Sequence, residues 1–382
     1  MTYPIYLDYN ATTPVDRQVL DDMTPWFTEQ FWNAASSHSG GRIAAENVDA
    51  SRRKVAAFIG ARPNELVWTS GATESNNLAL KGVVAYAKPN RKRLVTFATE
   101  HKAVLDTVAS LENQNIPVTV LSVEPDGTQC LDELTAALAD GDVAVVSVMA
   151  ANNETGLVAD IATIAALTHQ HGALLHCDAT QAAGKIGFNV EQLDVDLASI
   201  SAHKIYGPKG IGALYVSRRI DIAPMIHGGG HERGMRSGTL NVAAIVGFAT
   251  ATEIASNTLE TQTRHQHNLI ELFIATLDRE ISDFSLTTGN APRLPNTANI
   301  RIDGADAEAV MANTPGVAIS SGSACTALVP APSHVLTAMG LSDDRASECI
   351  RISAGRPTTE SDIINAAQQI ATAVQRVRNL TK

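Results

Sequence analysis

The sequence predicts an α/β architecture: a large, mostly parallel sheet domain with helices on its faces, joined to a small α+β domain. Two observations carry this reading. Through the first two thirds of the chain, short runs rich in Val, Ile and Leu alternate with helical patterns. Those runs lack strict apolar–polar alternation, as strands buried on both faces do. After a long helical stretch from about Ala243 to Asp278, the texture changes to shorter strands between helices. The 382 residues suffice for two cores. Residues 16–258 are expected to form the large domain, and 1–15 with 259–382 the small one.

Taken in order, Leu66–Thr69, Leu94–Ala98, Val118–Val123, Val143–Met149, Ala173–Cys177, Leu197–Ile200 and Ala213–Val216 read as strands. Helices fall between them, at Glu74–Tyr86, Ala103–Asn113 and Ile161–His171, with Gly172 as the stop of the last. Beyond the long helix, Asn299–Ile302, Val317–Ser320 and Ile350–Ser353 read as strands, and Pro332–Met339 and Glu360–Leu380 as helices.

The net charge of −11 argues against a protein that grips nucleic-acid phosphates directly. No apolar run reaches the roughly 18 residues of a membrane span. The start, Met1 to Asp8, lacks the basic and apolar regions of a signal peptide, so a cytoplasmic protein is expected. The four cysteines, Cys130, Cys177, Cys325 and Cys349, are too scattered for a disulfide framework or a zinc knuckle.

The motifs with chemistry sit where predicted strands end. Ser70-Gly71-Ala72-Thr73-Glu74 follows a strand and opens a helix; its small residues let backbone N–H groups approach a phosphate. An ordinary helix cap is the alternative. Glu100-His101-Lys102 places an imidazole that can stack or move protons, or simply cap a helix. Asp178 ends one strand and Lys204 follows another, in Ser201-Ala202-His203-Lys204. Two neighbouring strands joined by a crossover would bring both to one sheet edge. An aspartate for a protonated ring nitrogen and a lysine for an aldehyde are what pyridoxal phosphate requires. Arg351, in an apolar strand, needs an anion; a substrate carboxylate or an internal ion pair would serve, and Arg356 is the second choice. Cys325, in Ser320-Ser321-Gly322-Ser323-Ala324-Cys325, lies among small residues in a loop able to stay exposed, which suits a nucleophilic thiol. Cys130, Cys177 and Cys349 lie in apolar contexts and read as inert. The loop from His227 to Thr239, rich in glycine and charge, suits close approach to a ligand or another subunit.

Together the motifs resemble those of the cysteine desulfurases of the NifS/IscS type, pyridoxal-phosphate enzymes of the class V, aspartate-aminotransferase-like fold. The likeness runs almost end to end: Tyr6 to Pro14, Thr69 to Leu78, Thr99 to Asp106, Asn152-Asn153-Glu154, Asp178 to Gln181, Ser201 to Gly212, Gly228 to Leu240, Ser320 to Thr326 and Arg351 to Thr359. The resemblance implies roles. Lys204 would bond the cofactor aldehyde, Asp178 the pyridine nitrogen and Gln181 the ring hydroxyl, with His101 stacked on the ring. Ala72, Thr73, Ser201 and His203 would surround the phosphate. Thr239 would reach the phosphate of a neighbouring subunit, which implies a homodimer. Asn153 and Arg351 would take the carboxylate of L-cysteine, and Cys325 would carry the sulfur as a persulfide. The implied reaction converts L-cysteine to L-alanine and hands sulfur to acceptor proteins for iron–sulfur assembly, tRNA thiolation or DNA phosphorothioation. A selenocysteine lyase on the same fold is the alternative. The chain departs from the family pattern at Trp32, where glycine is common, at Gly40, where an aromatic is usual, and at Ala150, where histidine is frequent.

Overall fold

The computed structural model describes residues 3–321 and 332–380. In chain order the elements begin with β1 (Ile5–Tyr6), α1 (Arg17–Met23), α2 (Pro25–Thr28), α3 (Ser39–Phe58), β2 (Leu66–Thr69), α4 (Ala72–Tyr86), β3 (Arg93–Phe97), α5 (Lys102–Glu112) and β4 (Val118–Leu121). There follow α6 (Leu131–Leu138), β5 (Val143–Met149), α7 (Ile161–Gln170), β6 (Leu174–Asp178), β7 (Leu197–Ser201), β8 (Gly212–Val216) and α8 (Val242–Glu280). The chain continues through β9 (Phe284–Leu286), β10 (Thr297–Ile302), α9 (Ala307–Ala312), β11 (Val317–Ala318), α10 (His334–Ala338), α11 (Asp343–Ser347), β12 (Cys349–Ser353) and α12 (Glu360–Leu380).

Strands β2 to β8 match those read from the sequence to within two residues at either end. They form a seven-stranded sheet in the order β2-β8-β7-β6-β5-β3-β4. Its pairings are parallel except for β8, which runs antiparallel to both β7 and β2. The connection from β7 to β8, residues 202–211, is too short for a parallel crossover, so the chain turns back. Every residue of β5 is buried, which accounts for its unbroken apolar composition. Alternate side chains serve opposite faces: Val146 and Val148 join a core with α3, α7 and the first half of α8, while Val145 joins one with α4 and α5.

A second core surrounds the antiparallel sheet β12-β10-β9, with α9, α12 and the far half of α8. The helix α8 serves both: Ile245 and Phe248 pack in the first core, Leu269, Ile270 and Phe273 in the second. By length and composition alone α8 could cross a membrane, yet 61% of its most apolar window is buried within the protein.

The sequence reading passed over β1, α1 to α3, α6, β9, α9 and α11. The longest of these, α3, turns small residues such as Gly40, Gly41, Ala44 and Ala56 inward, so it shows no stripe of large apolar residues. The expected strand Val317–Ser320 is regular only over Val317–Ala318; Ser320 instead bridges Arg351 across the sheet edge. The first residues matter more than their texture suggests. β1 pairs with β11, and the chain then crosses to the large sheet, where Thr13 N–H donates to the His203 carbonyl at 3.1 Å.

Candidate active site

At the C-terminal edge of the parallel strands lies a cavity of about 520 Å³. Ala72, Thr73, His101, Asn153, Asp178, Gln181, Ser201, His203, Lys204 and Arg351 all line it. Thr239 does not; it is exposed, after the glycine-rich loop. Cys325 lies outside the described residues.

One end of the cavity is a helix N-terminus. α4 starts at Ala72 after Gly71, which has φ +149° and supplies no side-chain cap. The first N–H groups of α4 therefore point outward with the positive end of the helix dipole. Gly71 is also where β8 comes close: a Cβ on Gly212 would lie 2.7 Å from the Gly71 Cα. His203 also lines the cavity, its pKa pushed down to about 4 by burial, then by Lys204, Lys209 and Lys185. It is neutral at physiological pH.

Asp178 ends β6, beside β7 that leads to Lys204. Its two oxygens are held separately: the Asn76 amide donates to Oδ2 at 2.7 Å, and Thr180 N–H donates to Oδ1 at 3.0 Å. Two donors suit a carboxylate, an acceptor-only group. Asn76 comes from the second turn of α4, so one helix orients the carboxylate and also presents the anion-binding end. Nothing in the sequence singled out Asn76.

Lys204 Nζ donates to the carbonyls of Asn10 at 2.6 Å and Ala11 at 2.8 Å. Asn10 is a junction that the sequence reading also missed. Its carbonyl accepts from Gln181 Nε2 at 2.9 Å, its Nδ2 donates to the Asn153 carbonyl and to Thr297 Oγ1, and its N–H donates to Ser353 Oγ.

His101 caps α5, its Nδ1 accepting from Ala103 N–H at 3.0 Å, and it also borders the cavity. Its pKa is lowered, chiefly by burial and further by Lys204, with Asp178 opposing. The bond from Ala103 leaves the ring proton on Nε2. Arg351 lies in β12 and is 4% exposed. It donates to Asp8 and, at 2.8 Å, to the Asn153 carbonyl, so the internal ion pair exists. Its buried Nε has no hydrogen-bond partner among the described residues. Arg356 is turned away from the cavity, its guanidinium 4.2 Å over the Tyr206 ring and near Asp16. Cys177 and Cys349 are buried, and burial raises both thiols, Cys349 to about 12.

The loop before Thr239 is anchored by two ion pairs. Glu232 grips Arg52 with both oxygens and also accepts from Trp68 N–H at 2.8 Å; Arg236 donates to Glu74 in the first turn of α4 at 2.8 Å.

Residues 5–365 match the family model for class-V aminotransferases. This chain belongs to the class-V aminotransferase family. It is 48% identical over 384 aligned positions to a cysteine desulfurase IscS of an Anaeromyxobacter species, an alignment covering 100% of this chain and 95% of that one. A solved NifS-like protein superposes with a TM-score of 0.91 at 36% identity, covering 98% of this chain and 100% of the other. A solved chain described as SspA in complex with cysteine gives 0.81 at 36% identity, covering 91% and 98%.

As a class-V aminotransferase, the chain is a pyridoxal-phosphate enzyme, and its residues fit that group. The exposed N–H groups of α4 suit the phosphate, and Asp178, held by two donors, suits a protonated ring nitrogen. The buried Thr180 Oγ1, Asn76 Oδ1 and Arg351 Nε all belong to residues lining the cavity, and none has a hydrogen-bond partner among the described residues. Buried polar atoms without partners mark a place built for a polar guest.

Proposed function

We propose that this chain is a cysteine desulfurase, in which L-cysteine and the Cys325 thiol become L-alanine and a Cys325 persulfide. The substrate C–S bond breaks, an S–S bond forms at Cys325, and the substrate carbon takes a hydrogen. A second thiol of an acceptor protein then takes the outer sulfur. The observation that carries the reading is the pairing of Asp178 and Lys204 at the ends of adjacent parallel strands, in one cavity with Arg351. Full-length similarity to cysteine desulfurases, and a related fold described with cysteine bound, support it.

When bound, pyridoxal phosphate supplies an electron sink for the carbon attached to the substrate amine. The chain's own residues do the rest. The α4 N-terminus with Thr73, Ser201 and His203 takes the phosphate. Asp178 keeps the ring nitrogen protonated, and Gln181 donates to the ring oxygen. Arg351 and Asn153 orient the substrate carboxylate, Arg351 being on the cavity wall and Arg356 not. Lys204 moves the α-proton. His101 would border the ring of the bound group; for its Nδ1 to take the thiol proton, the Ala103 bond must first open. Thr239, exposed on a loop pinned by Arg52 and Glu74, is the residue proposed to complete the phosphate site of a second copy. The same reading divides the chain into 16–258 and 1–15 with 259–382, in a cytoplasmic homodimer.

The test is alanine formation from L-cysteine with a reductant present. The Cys325→Ala holoenzyme should keep the cofactor's visible absorbance and lose sulfide release. Unchanged turnover in that variant would sink the proposal. Sedimentation velocity checks the dimer.

A further inference from the structure

Behind the cavity wall lies a buried lysine that the mechanism above leaves unused. Lys185 is 7% exposed, in the turn that follows Gln181. Its Nζ donates to Gln181 Oε1 and, at 2.7 Å, to Asn10 Oδ1. Its backbone carbonyl accepts from Thr263 Oγ1 on α8 at 3.1 Å. A buried amine with two side-chain acceptors is costly to maintain and has a specific geometry.

That geometry constrains the amide of Gln181. Oε1 faces the lysine, so Nε2 faces the Asn10 carbonyl, 2.9 Å away. A primary amide nitrogen carries two N–H groups. One is spent on Asn10, and the second belongs to a side chain lining the cavity. The flipped amide would set Oε1 against the Asn10 carbonyl and two donors against each other at Lys185. Lys185 Nζ also holds Asn10 Oδ1 together with Asn296 Nδ2 at 3.1 Å, and Asn10 is the residue that accepts from Lys204.

We propose that Lys185 is a positioning residue that locks Gln181 with its amide N–H toward the cofactor ring oxygen and fixes Asn10 beneath Lys204. The inference rests on the reading that Gln181 faces that oxygen. A neutral amine would still donate two N–H groups to its two acceptors, while the Asn10 carbonyl, an acceptor alone, disfavours the flipped amide in either charge state. Burial, with Lys204 and Arg351 nearby, pushes the Lys185 pKa well below the ordinary lysine value. Lys185 and Lys204 also line one small cavity of about 20 Å³.

The lock is tested by pH titration of the bound cofactor's visible absorbance in purified holoenzyme. A donor on the ring oxygen lowers that oxygen's basicity and hence its hold on a nearby proton. Lys185→Met, which fills the space without donating, should raise the titration midpoint by about one pH unit. Gln181→Met should raise it similarly, and the double variant should show no further rise, because the two residues act as one unit. An unmoved midpoint in Lys185→Met, or additive shifts in the double variant, overturns the lock. If Lys185→Met gives no holoenzyme, Lys185→Gln, too short to reach both acceptors, takes its place in the cycle. Wild-type alanine formation is scored separately; its absence would refute the desulfurase reading and leave the midpoint comparison standing.

Discussion

The indole of Trp32 occupies the space that any side chain at position 40 would need. A Cβ built on Gly40 meets the Trp32 ring at 2.5 Å. Position 40 therefore carries no side chain while Trp32 stands where it does. Gly40→Ala should destabilise the protein by about 1–3 kcal/mol through overpacking. Adding Trp32→Gly should recover part of that loss, read as non-additive melting temperatures.

Asn76 supplies a hydrogen bond to a charged oxygen inside the site, at 2.7 Å from Asp178 Oδ2. Such bonds contribute about 1.5–3 kcal/mol. Asn76→Leu should lower kcat by roughly 10- to 100-fold while the fold persists. Full activity with normal cofactor spectra in that variant would show that Thr180 N–H suffices alone.

Glu154 gives a pH signature. Burial raises its pKa from 4.5 to about 7, against lowering by the Ser333 hydroxyl, Arg351 and Lys102. The folded state thus holds a proton that the unfolded state has released across that range. Stability from this group is full below pH 4.5 and is lost as pH rises to about 7, by about 3 kcal/mol. Glu154→Gln should flatten the dependence of melting temperature on pH in that window. An unchanged slope would assign the dependence to another group.

Arg351 and Arg356 separate by kinetics. Arg351 reaches the cavity and Arg356 stacks on Tyr206. Arg351→Lys, which loses the forked geometry, should raise KM for cysteine about 10-fold or more. Arg356→Lys should leave KM unchanged and lower the melting temperature. The reverse pattern would exchange their roles.

Much of this site was legible because its groups cluster in short junctions between strand and helix. Asp178 and Lys204 sit one strand apart, and the local sequence shows each strand ending. What supports them was not legible. Asn76 lies mid-helix, where a buried asparagine and a solvated one read alike. Asn10 and Lys185 are polar residues in segments without periodicity, and Asn10 meets Lys204 and Ser353 only through the tertiary fold. His101 shows the opposite case: cap and cavity wall were posed as alternatives, and one imidazole serves as both.

The bonds of Asn10 have a consequence for synthesis of the protein. Asn10 emerges from the ribosome early, whereas its partner Ser353 lies 343 residues later. All seven strands of the large sheet precede β12, which adds the Ser353 bond to those already holding Asn10. The Ser353 bond is the last of those on Asn10 to form, so stalled chains ending before residue 349 should hold pyridoxal phosphate less tightly than chains that extend past β12.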